Sequence, residues 1–83
     1  MKYTARVEIK FKEGLFDPES ETTKKSLQQL KFSVDDAKLC KIFQITFDAK
    51  SKSDAKAIAD EMCKKLLVNP NKDDYSIEIE EVK

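Results

Sequence analysis

Two cysteines, two aspartate pairs and a single glycine are the residues of this chain whose types could do chemistry. Cys40 or Cys63 could act as a nucleophile only beside a base, and the 83 residues include no histidine to serve as one. Two cysteines without a Cys-x-x-Cys spacing make no disulfide framework, and without histidine a zinc-type site is excluded. Cys63 falls inside an apolar helical stripe, and both thiols are expected to be buried and reduced, as in a cytosolic protein. Asp35-Asp36 and Asp73-Asp74 offer the paired carboxylates that general acid–base catalysis uses. Both pairs fall where turns are expected, and Asp is a common turn former. Gly14 alone cannot build a phosphate-cradling loop. The expectation is therefore no catalytic residue, no cofactor-binding residue and no metal site in this chain.

The elements that would position these residues follow from hydrophobic periodicity. Tyr3, Ala5, Val7, Ile9 and Phe11 alternate with polar residues, which predicts a strand over 3–11 with one buried face. Residues 12–16 form a connection in which Gly14 is available for a positive φ. Asp17-Pro18 opens a helix, with Asp17 as N-cap and Pro18 at the first position, where a missing N–H costs nothing. Glu19 and Glu21 suit the positive end of its dipole. That helix is expected to reach Gln29 or Leu30. Its stripe of Ser20, Thr23, Leu27 and Leu30 holds only two large residues, so its start should approach the sheet or a partner closely.

Residues 32–48 read less simply. Ala37, Leu39, Phe43, Ile45 and Phe47 share one parity, interrupted by Lys41, while Cys40 and Ile42 share the other. Either two strands meet in a hairpin near Cys40–Ile42, or one long strand bends there. Two strands are preferred, because an unbroken strand of that length is uncommon. Apolar residues on both parities nominate Cys40, Lys41, Ile42 and Phe43 as a subunit interface.

A second helix begins at Ser51, with Asp54 three residues on in the manner of a capping box. Ala55, Ile58, Ala59, Met62, Cys63, Leu66 and Leu67 give it a wide apolar stripe. Asp60–Lys64 and Glu61–Lys65 are acid-first i,i+4 pairs on a solvated face. Asn69-Pro70 ends the helix. Tyr75, Ile77 and Ile79 then alternate with Ser76, Glu78 and Glu80 in a last strand whose acidic wet face complements Arg6 and Lys10 of the first, which places the two side by side. The result is an α+β fold, a two-layer ferredoxin-like βαββαβ arrangement with an antiparallel sheet and two helices on one face.

Sixteen basic and sixteen acidic residues cancel, which argues against nucleic acid as a partner. The open face of the first strand carries Thr4, Arg6 and Glu8 rather than the aromatics of an RNA-recognition sheet. The only arginine, Arg6, lies mid-strand and not in a Gly-rich anion loop, which excludes acyl-phosphate hydrolysis on this fold. No signal-peptide run or membrane span is legible, and the expected location is cytoplasmic. Eighty-three residues make one domain, 1–83, of a size at which association with a partner is plausible. The residues by themselves point to an oligomeric binding or structural subunit, with a small-ligand regulatory domain as the rival.

Met62-Cys63-Lys64-Lys65-Leu66-Leu67-Val68-Asn69, a short turn, and Asp73-Asp74-Tyr75-Ser76-Ile77-Glu78-Ile79-Glu80-Glu81 together resemble the PurS family, the small subunit of phosphoribosylformylglycinamidine synthase in bacteria and archaea. Leu15-Phe16-Asp17-Pro18 and Val34 match in the front half, so the resemblance covers essentially the whole chain. Ser20 and Cys40 stand where the family commonly has glycine. The resemblance implies a non-catalytic subunit of an ATP-dependent complex in purine biosynthesis. It would associate with itself as a homodimer or tetramer, bridge a glutaminase subunit and a large synthetase subunit, and assist ammonia transfer between them. ATP and Mg would belong to the large subunit.

Overall fold

The computed structural model describes residues 1–83. Its centre is β1 (Lys2–Phe11), which is hydrogen-bonded along both edges. On one side it pairs antiparallel with β2 (Lys41–Asp48), on the other with β3 (Asp73–Glu81), giving the order β2-β1-β3. Alternation decides which way β1 faces: Tyr3, Ala5, Val7 and Ile9 are all buried and point to one side. The register sets Ile79 opposite Ala5, Ile77 opposite Val7 and Tyr75 opposite Ile9, so one face of the sheet is apolar across β1 and β3. On the other face Arg6 lies opposite Glu78 and Lys10 opposite Asp74, the unlike-charge pairing expected from the sequence.

The apolar face is covered by α2 (Lys52–Met62) and the π-helical turn Cys63–Leu67 that continues it. Ser51 accepts from the amide of Asp54 at 3.2 Å, while the Asp54 carboxylate accepts from Lys50 N–H at 3.0 Å. The two residues therefore cap as expected, although the reciprocal bond falls one residue earlier than in a capping box. Ala55, Ala59 and Cys63, spaced by four, are buried and form the row that meets the sheet. Small side chains in that row let the helix axis approach β1, where Val7 is fully enclosed. Val68 N–H bonds to Cys63 C=O at 3.0 Å, the i→i+5 closure of the π turn, and the chain becomes extended at Val68 before Pro70.

The first helix, α1 (Pro18–Gln29), is built as its sequence predicts, yet it stands apart. Asp17 caps it by accepting from Glu19 N–H at 3.1 Å. Its end is a Schellman motif: Phe32 N–H reaches Leu27 C=O and Lys31 N–H reaches Gln28 C=O. Lys31 takes the left-handed conformation, φ 74°, that such a cap usually gives to glycine. Gly14, φ 85°, is the other left-handed residue and turns the chain out of β1. α1 has no extended packing with any strand, and within it only Ser20 is buried. The molecule is correspondingly long, 51 × 30 × 14 Å, with a radius of gyration of 16.4 Å where about 12 Å is typical of a compact domain this size.

The α+β class, the antiparallel sheet and the adjacency of first and last strands are as expected. Two details differ. The sheet has three strands, not four: residues 32–40 form no strand, and there is neither a hairpin near Cys40–Ile42 nor one long bent strand. The amide of Ala37 turns to the Asp36 side chain and that of Leu39 to Ser20 Oγ, instead of entering a ladder. The two helices also do not share the sheet: α2 alone covers it, because α1 leaves the end of β1 pointing away.

Candidate interaction surface

One carboxylate of each aspartate pair holds backbone, as does the N-cap Asp17. Asp17 accepts from Glu19 N–H and from Ser20 Oγ–H, Asp36 from Ala37 N–H, and Asp73 from Asn69 N–H. Asp73 and Asp74 are the first residues of β3 and do not form the turn before it. No cluster of three or more Cys, Asp or Glu side chains gathers as metal ligands. Cys63 is fully buried, and burial, with a smaller push from the charge of Asp60, raises its thiol pKa. Such a thiol is inert. Cys40 is half-buried at the entrance to β2, more open than the sequence suggested.

Asp60 does more than face solvent. It pairs with Lys64 at 3.0 Å as expected, and it also accepts the hydroxyl hydrogen of Tyr75, tying α2 to β3. That hydrogen bond is the main reason the Tyr75 hydroxyl is pushed up to about 12 and the Asp60 carboxyl is lowered. The sign follows: a raised phenol pKa contributes stability below about 10, lost as pH climbs from there toward 12. In a spectrophotometric titration near 295 nm, the difference between the wild type and Tyr75→Phe should therefore show one phenol ionising near 12. A difference centred near 10 would mean that the Tyr75–Asp60 bond does not form in solution.

What the fold leaves uncovered is apolar. The outer edge of β2 has no neighbouring strand. The four residues nominated from sequence, Cys40, Lys41, Ile42 and Phe43, lie together where the chain enters this edge, with Ile42 47% and Phe43 39% exposed. Ile42 and Phe43 point to opposite faces, and Phe43 shares its face with Val7. Beside them a cleft of about 440 Å³ opens between the ends of β1 and β2 and the start of α1, lined by Ile9, Phe11, Leu39, Phe43 and Leu67 with a rim of charges. Ser20 Oγ accepts from Leu39 N–H at 2.8 Å at this junction, so the Ser20 side chain pins α1 to the entry of β2.

A second groove, about 390 Å³, runs between β2 and α2, lined by Ile45, Ile58, Met62, Leu66 and Leu67, with Glu61 and Lys65 alongside. Glu61 and Lys65 pair with each other at 2.7 Å. Leu66 is 84% exposed. Sequence reasoning placed Ile58, Met62, Leu66 and Leu67 in the helix stripe and Ile45 in the middle strand pattern, without joining them in one surface. The available signal was the i, i+4, i+8 row Ile58–Met62–Leu66, which runs parallel to the buried row Ala55–Ala59–Cys63 and needs a different neighbour.

The comparisons with known proteins agree with one another. The family model PurS, described as phosphoribosylformylglycinamidine (FGAM) synthase, matches residues 4–81. The chain is 45% identical over 74 residues to the phosphoribosylformylglycinamidine synthase subunit PurS of Archaeoglobus fulgidus, covering 88% of this chain and 92% of that one. The crystal structure of PurS from Methanocaldococcus jannaschii, one of the subunits of formylglycinamide ribonucleotide amidotransferase in the purine biosynthetic pathway, superposes with a TM-score of 0.88 at 36% identity, over 98% of this chain and 99% of that one. A chain in the structure of PurLQS from Thermotoga maritima superposes with a TM-score of 0.89 at 25% identity, over 95% and 98%. No helix of the protein is long and apolar enough to cross a membrane.

Proposed function

The chain belongs to the PurS family of phosphoribosylformylglycinamidine (FGAM) synthase, a family of purine biosynthesis, and we propose that it serves that ligase as its non-catalytic small subunit. In this role it joins a glutaminase subunit to the large ATP-dependent synthetase subunit, and helps ammonia released by the first reach the second. ATP and Mg act on the large subunit, and the setting is the cytoplasm. The carrying observation is the contrast between occupied polar groups and unoccupied apolar ones. One carboxylate of each aspartate pair, Asp36 and Asp73, accepts from a backbone amide, while β2 presents a free edge with Ile42 and Phe43 at its start.

A self-associated form, a homodimer at least, is part of the same reading, with Cys40, Lys41, Ile42 and Phe43 in the contact. Nine buried residues are a small core for 83 residues, and a protomer so thinly packed gains from covering its exposed apolar side chains with a neighbour. Ammonia must cross between active sites without protonation or escape to water, which favours a sealed junction. A charged, rigid module with sticky edges suits such a seal.

The test is reconstitution. With the glutaminase and synthetase subunits present, adding this chain should raise glutamine-dependent FGAM formation severalfold or more and leave ammonia-dependent formation nearly unchanged. Equal rates with and without it would remove the proposed role. Stabilisation of the isolated chain by small metabolites, with no complex on size exclusion, would instead favour a ligand-binding regulatory domain.

A further inference from the structure

The sheet has a second open edge, on β3, whose backbone groups can be accounted for one by one. Lys12 N–H reaches Lys72 C=O and Val82 N–H reaches Lys2 C=O, so the even-numbered residues of β3 exchange hydrogen bonds with β1. The N–H and C=O groups of the odd-numbered residues therefore point outward. Asp73 N–H turns back to Asn69 C=O at 2.8 Å, which leaves Tyr75, Ile77, Ile79 and Glu81 with both groups free along the edge. We infer that this edge takes up an extended segment of a partner subunit, with lysine or arginine at alternate positions, as a further strand of the sheet. This rests on the place in a multi-subunit synthase proposed above and specifies one contact that holds the chain there.

Edge strands are ordinarily blunted by shortness, proline or a bulge. β3 has none of these: it runs for nine residues, contains no proline, and keeps an unbroken register with β1 from Asp73 opposite Phe11 to Glu81 opposite Tyr3. What it carries instead is charge of one sign. Asp74, Ser76, Glu78 and Glu80 form one exposed column on the open face of the sheet, and Glu78 and Glu80 make no direct ion pair within the chain. A second copy of β3, paired antiparallel about Ile77, would set Asp74 against Glu80 and crowd the carboxylates of both copies into adjacent columns. Like charges across a strand pair destabilise it, and unlike charges stabilise it. The edge thus rejects its own kind and favours a strand with cationic side chains.

The helix side of the same edge supplies the other half of the specification. Lys52 and Lys56, one turn apart on α2, line a hollow of about 400 Å³ with Ile77, Ile79 and the neighbouring glutamates. Alternate side chains of an added strand fall on this side, where Ile77 and Ile79 suit apolar residues and the two lysines suit acidic ones. A run of lysine or arginine at every position would meet Lys52 and Lys56 and be turned away. The segment that fits is therefore an alternating one, basic toward the open face and apolar or acidic toward α2. β2, the edge assigned to self-association, lies on the far side of β1, so the two edges can be occupied in one assembly.

The experiment is amide hydrogen exchange at residue resolution, on the chain alone and in the complex reconstituted with the glutaminase and synthetase subunits. Alone, the outward amides of Tyr75, Ile77 and Ile79 should exchange fast and the inward amides of Ser76 and Glu78 slowly, in strict alternation. In the complex the outward amides should slow by about tenfold or more. Alongside it, the double variant Ser76→Lys, Glu80→Lys should bind the partner subunits about tenfold more weakly or worse, because it sets like charges against the incoming strand. Its new side chains lie opposite Glu8 and Thr4 of β1, so pairing within the sheet is kept, and Tm and self-association should match the wild type. A complex in which the outward amides exchange as in the free chain, or a double variant that binds as tightly as the wild type, would overturn the edge contact and leave the subunit role standing. Failure of any complex to form would remove both. Outward amides already slowed in the chain alone, the more so at higher concentration, would seat a second copy on β3 and overturn the proposal too.

Discussion

Val7→Ala is expected to destabilise the protein by about 2–3 kcal/mol, which in a domain of this size lowers Tm by roughly 10–20 °C. Val7 is the largest β-branched side chain with no exposed surface, and it lies at the crossing of the sheet with α2, opposite Phe43 on one side and Ile77 on the other. Its neighbours offer little to fill a void. Ala5 and Ala59 have no rotamers to move, and Ile9 and Cys63 are buried in the same cluster. The cavity would therefore persist, and the cost should lie above that of transfer alone. Urea denaturation of wild type and variant at matched concentration reads the difference. A loss below about 0.5 kcal/mol would mean that the small-residue row of α2 can close on β1, contrary to the tight packing described.

The legible and illegible parts of this fold differ in where their partners lie. β1, β3 and α2 were readable because most of the apolar positions on the face they share are covered by another element of the same chain. The alternation at Tyr3–Ile9 and Tyr75–Ile79 and the row Ala55–Ala59–Cys63 describe contacts that exist within 83 residues. Local chemistry was equally plain at Asp17, Pro18, Ser51 and Gly14, where a cap or a positive φ depends on neighbours in sequence.

The middle segment failed for the opposite reason. Ala37, Leu39, Phe43 and Ile45 carry strand periodicity, but Ala37 and Leu39 find no strand in their own chain, so the protomer shows three strands where the pattern implied four. Periodicity reports which side of a segment must be covered and is silent about which molecule covers it. The same applies to Ile58, Met62 and Leu66, which read as one broad stripe with Ala59 and Cys63 until the structure separated the buried row from the open one. Asp60 was read as solvated because its i+4 partner is obvious, whereas Tyr75, fifteen residues on, is brought to it only by the fold. Lys31 carries no sequence sign of its left-handed backbone, since the cap that imposes it is usually signalled by glycine.

A carboxylate at Phe43 separates association from folding. Phe43 lies on β2, the edge strand, and is already 39% exposed, so Phe43→Asp should leave the far-UV circular dichroism and most of the protomer stability intact. In the proposed homodimer the same position would face a second copy, and symmetry would introduce the change twice. Withdrawing each carboxylate from water costs several kcal/mol when no partner charge meets it. Self-association should therefore weaken at least about a thousandfold, the equivalent of about 4 kcal/mol, and light scattering should find monomers at micromolar concentration. Phe43→Leu, which keeps the face apolar, should remain dimeric. In the reconstituted synthase the proposed role in ammonia delivery predicts that the Asp variant loses most glutamine-dependent activity while ammonia-dependent activity persists. Retention of the dimer by Phe43→Asp would move the interface away from the start of β2. A monomer that still supports full glutamine-dependent synthesis would instead uncouple self-association from ammonia transfer, and the protomer's other open surface, the polar sheet face carrying Arg6, Thr46 and Glu78, would then have to meet the partner subunits.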